Sequence, residues 1–270
     1  MRRTQAFLSG LLMMLMASAS YGGDLTLRLP IIVDAQDSHH FFHDVMREAL
    51  EHQGHKVSVQ YVSVPQNRAR LMLARGEITA FWMLRTERRD SRFLAIPGGL
   101  TQGVAGQRIL LIKPGQQALF DRVNSLQDFR DLELVAGMGT DWFDVDIWRL
   151  NRLPVKEHSG NWNAIYRILK NRREYAYFPR GTHEIISDAI QYPGLAIEQR
   201  LVLEYERDYI FYLSKEGEFA RPEYRLLIED AIRKAQESGL ITKLIAQYWG
   251  KDLQQLNFPQ RIRLPLQAPR

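Results

Sequence analysis

The 270-residue chain has no cysteine. That excludes disulfides, thiolate metal sites and a lipid-bearing N-terminal cysteine, and it leaves stability to packing alone. Long apolar runs are missing too. The run at residues 7–16 falls short of the ~20 apolar residues that a membrane-spanning helix needs, and no later stretch approaches that length. Basic blocks with interleaved aromatics are absent. The formal net charge is +5, and without Arg2 and Arg3 it is only +3, too mild for a nucleic-acid binder. No internal sequence repeat is found. With 45% hydrophobic and 25% charged residues, the composition suits a globular chain, either one large domain or two small lobes.

The amino end is informative. Arg2 and Arg3 precede the short apolar run, and Ala17, Ser18 and Ala19 follow it in an A-x-A arrangement. This pattern predicts a secretory signal peptide over residues 1–22, a soluble mature protein starting between Ser20 and Asp24, and a periplasmic location; the alternative is an uncleaved anchor.

Along the mature chain, residues 25–29 alternate as LTLRL, which predicts a strand with one buried face. From the cap Ser38, the residues Phe41, Phe42, Val45, Met46, Ala49 and Leu50 recur at helical spacing up to Gly54. A strand at 57–61, a short helix at 67–75 and a buried strand at 79–84 complete a βαβ rhythm. The middle repeats it, with strands at 108–112, 132–136 and 175–178 and helices after Ser125, up to Trp148 and over 162–171. Residues 201–213 read as one long strand. Pro222 opens helices that reach Trp249 with a break at Gly239, and the tail 258–270, with three prolines, reads as extended.

Three stretches in this order, QNRARLMLARGEITAFWMLRTERRD (66–90), VNSLQDFRDLELVAGMGTDWFDVDIWRL (123–150) and NWNAIYRILKNRREYAYFPRGTHEI (161–185), resemble the bacterial family 3 extracellular solute-binding proteins, the polar amino-acid binders of ABC importers. With DYIFYLSKE (208–216) and the C-terminal helices, the resemblance covers nearly all of the mature chain. It implies an α/β type II periplasmic-binding-protein fold: two α/β lobes joined by a two-segment hinge, with a ligand clamped between them. Lobe one is then discontinuous, 23–108 and 206–270, and lobe two is 109–205, with crossings near 106–111 and 201–209. A hinge of this kind opens and closes, and ligand favours closure through its better contacts in the closed state.

The resemblance also nominates a site. The family's T-x-x-R pattern falls on Thr86-Glu87-Arg88-Arg89 and gives Arg89 the ligand carboxylate, for which a guanidinium fork is suited. The bland reading leaves Arg89 in a solvated charge run with Arg85, Arg88 and Arg92. Gly137, Gly139 and Thr140 resemble the loop that faces the ligand at a helix start, where unpaired N–H groups attract anions; a plain turn and cap is the competing reading. Where the family has an acidic partner for the ligand ammonium, this chain has Pro179 or Arg180, so the cleft is expected to favour an anionic ligand or one read by aromatics. Arg180 alternatively pairs with Glu184 at i+4. Phe42, Trp82, Trp142 and Tyr177 are the expected aromatic contacts.

Five of the seven histidines, His39, His40, His43, His52 and His55, crowd one region, and His39 and His43 stand one helical turn apart. That spacing can chelate a metal, but no second pair accompanies it, so a solvated or cleft-edge cluster is expected and no metal or cofactor. The function expected is non-catalytic capture of a small solute, anionic or amino-acid-like, by a monomer that serves an importer permease. Two alternatives stand: a ligand-sensing partner of a membrane signalling protein, and a dehydratase-like enzyme using Glu184, His183 or His158.

Overall fold

A computed structural model describes residues 24–33 and 39–269. The signal peptide expected over residues 1–22 and the cap Ser38 lie outside the described residues.

In chain order, the first third supplies β1 (Asp24–Ile32), α1 (His39–Glu51), β2 (Lys56–Val64), α2 (Gln66–Ala74), β3 (Ala80–Leu84), α3 (Glu87–Arg92) and β4 (Leu94–Ala95). The middle supplies β5 (Gln107–Ile112), α4 (Leu126–Asp131), β6 (Ala136–Gly139), α5 (Phe143–Leu150), β7 (Val155–His158), α6 (Ala164–Asn171), β8 (Tyr177–Gly181), α7 (Ile185–Gln191) and β9 (Ala196–Ile197). The last third supplies β10 (Leu201–Glu204), β11 (Tyr209–Leu213), α8 (Pro222–Glu237), α9 (Leu240–Gln255) and β12 (Ile262–Pro265).

Lobe one grows from β1, whose alternation turns Leu25, Leu27 and Leu29 inward. It pairs in parallel with β2, from Asp24↔Lys56 to Ile32↔Val64. The wholly buried β3 pairs antiparallel with β11, which also pairs with β4. The Thr79 amide donates to the Arg28 carbonyl (2.8 Å) and the Arg28 amide to Thr79 Oγ1 (2.9 Å), so the two small sheets lie side by side. The apolar stripe of α1, including Phe41, Val45, Met46 and Leu50, joins Ile228 and Ile232 of α8 and Leu244 of α9 in one core.

Lobe two is a seven-stranded sheet with the path β12-β10-β5-β8-β6-β7, and β9 pairs with β5. Period-two alternation along β5 sends Leu110 and Ile112 to one face, with Trp148 and Phe129, and Ile109 and Leu111 to the other, with Ile165, Tyr166 and Phe178. Ser125 and Asp128 cap α4 reciprocally, each side chain bonding the other's backbone N–H.

The crossings lie where β5 and β10 pair antiparallel at Leu203↔Arg108 and Glu204↔Gln107. A Cβ on Gly106 would lie 2.1 Å from the Tyr205 carbonyl oxygen, so only glycine lets the two segments approach this closely. Asp208 ties them further: its carboxylate accepts from the amides of Thr101 (3.1 Å), Gly103 (3.2 Å) and Tyr209 (2.7 Å).

Three expectations change. The strand read at 132–136 is β6 at Ala136–Gly139, so Gly137 and Gly139 belong to a strand and not to a loop at a helix start. The long strand read at 201–213 is two strands, β10 in lobe two and β11 in lobe one, with a crossing between them. The tail, assigned to lobe one, returns to lobe two, where β12 pairs in parallel with β10. Arg261 fastens it, donating from a buried guanidinium to the carbonyls of Leu256 (2.6 Å), Glu198 (2.8 Å) and Leu201 (2.9 Å).

Candidate ligand cleft

A cavity of about 360 Å³ opens between the lobes. On the lobe-one side it is lined by Phe42, Arg70, Trp82, Arg89, Tyr209, Tyr248, Trp249 and Asp252, and on the lobe-two side by Asp141, Trp142, Asp144, Trp162, Arg180, His183, Glu184 and Asp188, with Arg108 at the crossing. On lobe two it lies at the carboxyl end of β8, where Pro179, Arg180 and Gly181 reach it. Ligand clefts of α/β sheets characteristically lie at such strand ends.

Arg89 is placed by local chemistry. Thr86 is the N-cap of α3, and its side chain accepts from the Arg89 amide at 3.2 Å, which fixes the T-x-x-R spacing as cap and third helical residue. The guanidinium donates through Nη1 to the Leu84 carbonyl. Among the described residues no carboxylate pairs with it, whereas Arg85 takes Asp90 at 2.9 Å. Burial, and then the charge of Arg70, lower the Arg89 pKa, the signature of a cation short of an anion. It remains protonated all the same.

Beside it the lobe-one wall is aromatic. The rings of Phe42 and Trp82 stack at 4.8 Å and 10°, and Tyr209 meets Phe42 edge-on at 5.2 Å. On lobe two, Trp142 packs against Gly139, where a Cβ would lie 2.6 Å from the indole, and it stacks on Phe178 at 5.9 Å.

Two further cleft arginines, Arg108 and Arg180, are paired. Arg108 grips Asp144 through Nε (2.7 Å) and Nη2 (3.2 Å), donates through Nη1 to the Ala105 carbonyl (2.7 Å), and shares Asp144 with the Tyr205 hydroxyl (2.8 Å). Arg180 contacts Asp188 (2.5 Å) and Glu184 (2.9 Å). Burial opposes its charge, yet Asp188 and Glu184 hold its pKa well above the ordinary arginine value. His183 lies 3.6 Å from Glu184, and its ring is 4.9 Å from Trp249 across the cleft; burial lowers its pKa to about 4, so it is neutral at pH 7.

Of the seven residues expected at the site, Phe42, Trp82, Arg89, Trp142 and Arg180 line the cavity, and Thr140 and Tyr177 do not. Thr140 is exposed on the turn between β6 and α5, where its hydroxyl donates to the His158 carbonyl (3.2 Å). Tyr177 is the first residue of β8, four before its carboxyl end, and faces the lobe-two core, where its hydroxyl accepts from Trp148 Nε1 at 2.9 Å. The histidines divide. His52 and His40 are exposed, while His39 and His43 are buried, and His43 Nε2 donates to the Pro30 carbonyl at 3.0 Å. Among the described residues no group of three or more His, Cys, Asp or Glu is placed to hold a metal ion.

Sequence reasoning missed Arg108, Asp144 and Asp188. Their signal is a charged residue at a position that should be apolar: Arg108 inside the run QRILLI, and the two aspartates on the buried faces of α5 and α7.

No protein-family model and no curated protein sequence matches the chain. Solved structures do. An ancestral arginine-binding protein bound to glutamine superposes with a TM-score of 0.59 at 16% identity, over 83% of this chain and 98% of its own. An amino-acid ABC-transporter substrate-binding protein from Streptococcus pneumoniae, bound to L-arginine, gives 0.56 at 16% identity over 87% and 97%. An ancestral amino-acid-binding protein, a precursor of cyclohexadienyl dehydratase, gives 0.57 at 15% identity over 83% and 95%. The chain therefore has the type II periplasmic-binding-protein fold.

Proposed function

We propose that this chain is a non-catalytic, periplasmic solute-binding protein that closes its lobes on a small carboxylate-bearing solute, amino-acid-like or a simple organic anion, and hands it to an ABC importer. The observation that carries the reading is Arg89, a half-buried guanidinium facing the interlobe cavity with no carboxylate partner among the described residues. A ligand carboxylate supplies that anion with two parallel charge-assisted hydrogen bonds, and the Phe42–Trp82 stack offers a flat apolar surface for the rest of the molecule. The neighbours that bind glutamine and arginine support an amino-acid-like solute.

A thermal-shift screen of the mature protein against amino acids and small organic acids tests this. A ligand at 100 times its Kd adds about 2.7 kcal/mol of stability. Arg89→Ala should abolish every carboxylate hit while the unliganded protein melts near the wild type, because only the bond to Leu84 is lost. A hit that binds Arg89→Ala undiminished would refute the assignment.

One observation favours a second reading. The His183–Glu184 pair lines the cavity of a fold shared with the dehydratase precursor, which would suit proton transfer in an elimination. NMR of each hit incubated with the protein decides, since elimination products appear only under this reading.

A further inference from the structure

Lobe two encloses one guanidinium in a box of four aromatic rings and two carboxylates. The guanidinium carbon of Arg180 lies 5.1 Å from the ring centroids of Trp162 and Phe178, 5.8 Å from Trp142 and 5.9 Å from Tyr166. Its Nε is 2.5 Å from Asp188 and its Nη2 is 2.9 Å from Glu184. Aromatic faces within about 6 Å attract a cation through the ring quadrupole, and carboxylates at the edge of a guanidinium add charge-assisted hydrogen bonds. Together these are the elements with which a binding site captures a guanidinium or ammonium group from solution.

The other buried arginines are held differently. Arg108 and Arg261 each donate to two or more backbone carbonyls and so tie chain segments together. Arg180 donates to no backbone carbonyl among the described residues; every partner it has is a side chain. Four rings and two carboxylates converge on it from the turn before α5, from α6 and the turn before it, from β8, and from α7 and the residue before it. The demand for a cation is therefore set by the box, and Arg180 meets it from within.

We propose that Arg180 is an internal ligand: the chain's own guanidinium occupies a site built for a cationic group, and by doing so it excludes cationic ligands from the lobe-two wall. With Asp188 and Glu184 already paired to Arg180, neither offers its charge to a cationic ligand. Arg180 is then a specificity-determining residue that never needs to touch the solute. The inference does not depend on importer delivery or on carboxylate capture by Arg89.

The test uses Arg180→Ala, with methylguanidinium chloride as probe against equal sodium chloride. The variant should melt well below wild type, because the buried Asp188 and the part-buried Glu184 lose their cation. Methylguanidinium should raise its melting temperature saturably, with at least tenfold tighter binding than to wild type by calorimetry. The triple variant R180A/E184Q/D188N should melt above R180A and should not respond to the probe. If R180A does not fold alone, refolding in methylguanidinium recovers it under the proposal; failure to recover while the triple variant folds overturns it. So does an R180A response no larger than that of wild type or of the triple variant. The response should persist in R89A/R180A, so failure of the carboxylate reading and failure of this one are distinguishable.

Discussion

Asp144 anchors the most tightly satisfied ion pair at the crossing, and its removal has a calculable cost. Asp144→Ala strips Arg108 of two hydrogen bonds and Tyr205 of one, and leaves a guanidinium whose side chain is only 8% exposed without a counter-charge. Breaking a buried pair from one side costs about 3–5 kcal/mol, mostly because the stranded charge stays buried. For a protein of this size, each kcal/mol lowers Tm by roughly 2–4 °C, so a fall of about 6–20 °C is expected in thermal unfolding followed by circular dichroism. Arg108→Met should cost a similar amount, since it strands Asp144 and frees the carbonyls of Ala105 and Gln107. The double variant R108M/D144L, which leaves no buried charge behind, should lose no more than either single variant, a coupling of about 3 kcal/mol. Additive losses, or an Asp144→Ala variant melting within 2 °C of wild type, would refute the view that the pair is buried and mutually dependent.

Gly106→Ala should destabilise the protein by about 1–3 kcal/mol or more in urea unfolding, because the new methyl group meets the Tyr205 carbonyl on the opposing crossing segment and neither backbone can retreat alone; an unchanged midpoint would show that the two segments separate freely. Acid should also cost stability through His43 and His183, whose pKa values burial lowers from 6.5 to about 4. The unfolded chain protonates both near pH 6.5 and the folded chain only near pH 4. Their contribution is therefore complete above pH 6.5 and is lost as pH falls toward 4, at up to about 1.4 kcal/mol per pH unit for each histidine. Urea unfolding between pH 7 and 4 should show a shallower fall for His43→Gln and again for His183→Gln; slopes equal to wild type in both would reject the assignment.

What could be read from sequence follows from how local each signal is. The stripe of α1, the alternation of β1 and the Pro222 start of α8 are short-range patterns, and each appears in the fold. The spacing of Arg89 from Thr86 is equally local, a distance of three residues that the cap geometry fixes, and it puts Arg89 beside the cavity. Thr140 and Tyr177 lie off the cavity because the glycines before Thr140, which read as a loop, are a strand, and because position along β8, not residue type, decides which side chains reach its end. The fate of Arg180 was beyond local reading. Its i+4 neighbour Glu184 was visible, but Asp188, Trp142, Trp162 and Tyr166 converge on it only after the chain folds. The return of the tail to lobe two is non-local in the same way: nothing in IRLP names β10 as its partner.

That return makes the second lobe discontinuous as well as the first. Strand β12 completes the outer edge of the lobe-two sheet, yet it comes from outside the stretch 107–204 that supplies the other six strands. Without it, β10 keeps a bare edge and the carbonyls of Glu198 and Leu201 lack the Arg261 guanidinium. The second lobe therefore closes its sheet only with a segment that lies beyond β11, α8 and α9 of the first, so the two lobes cannot be completed one after the other along the chain.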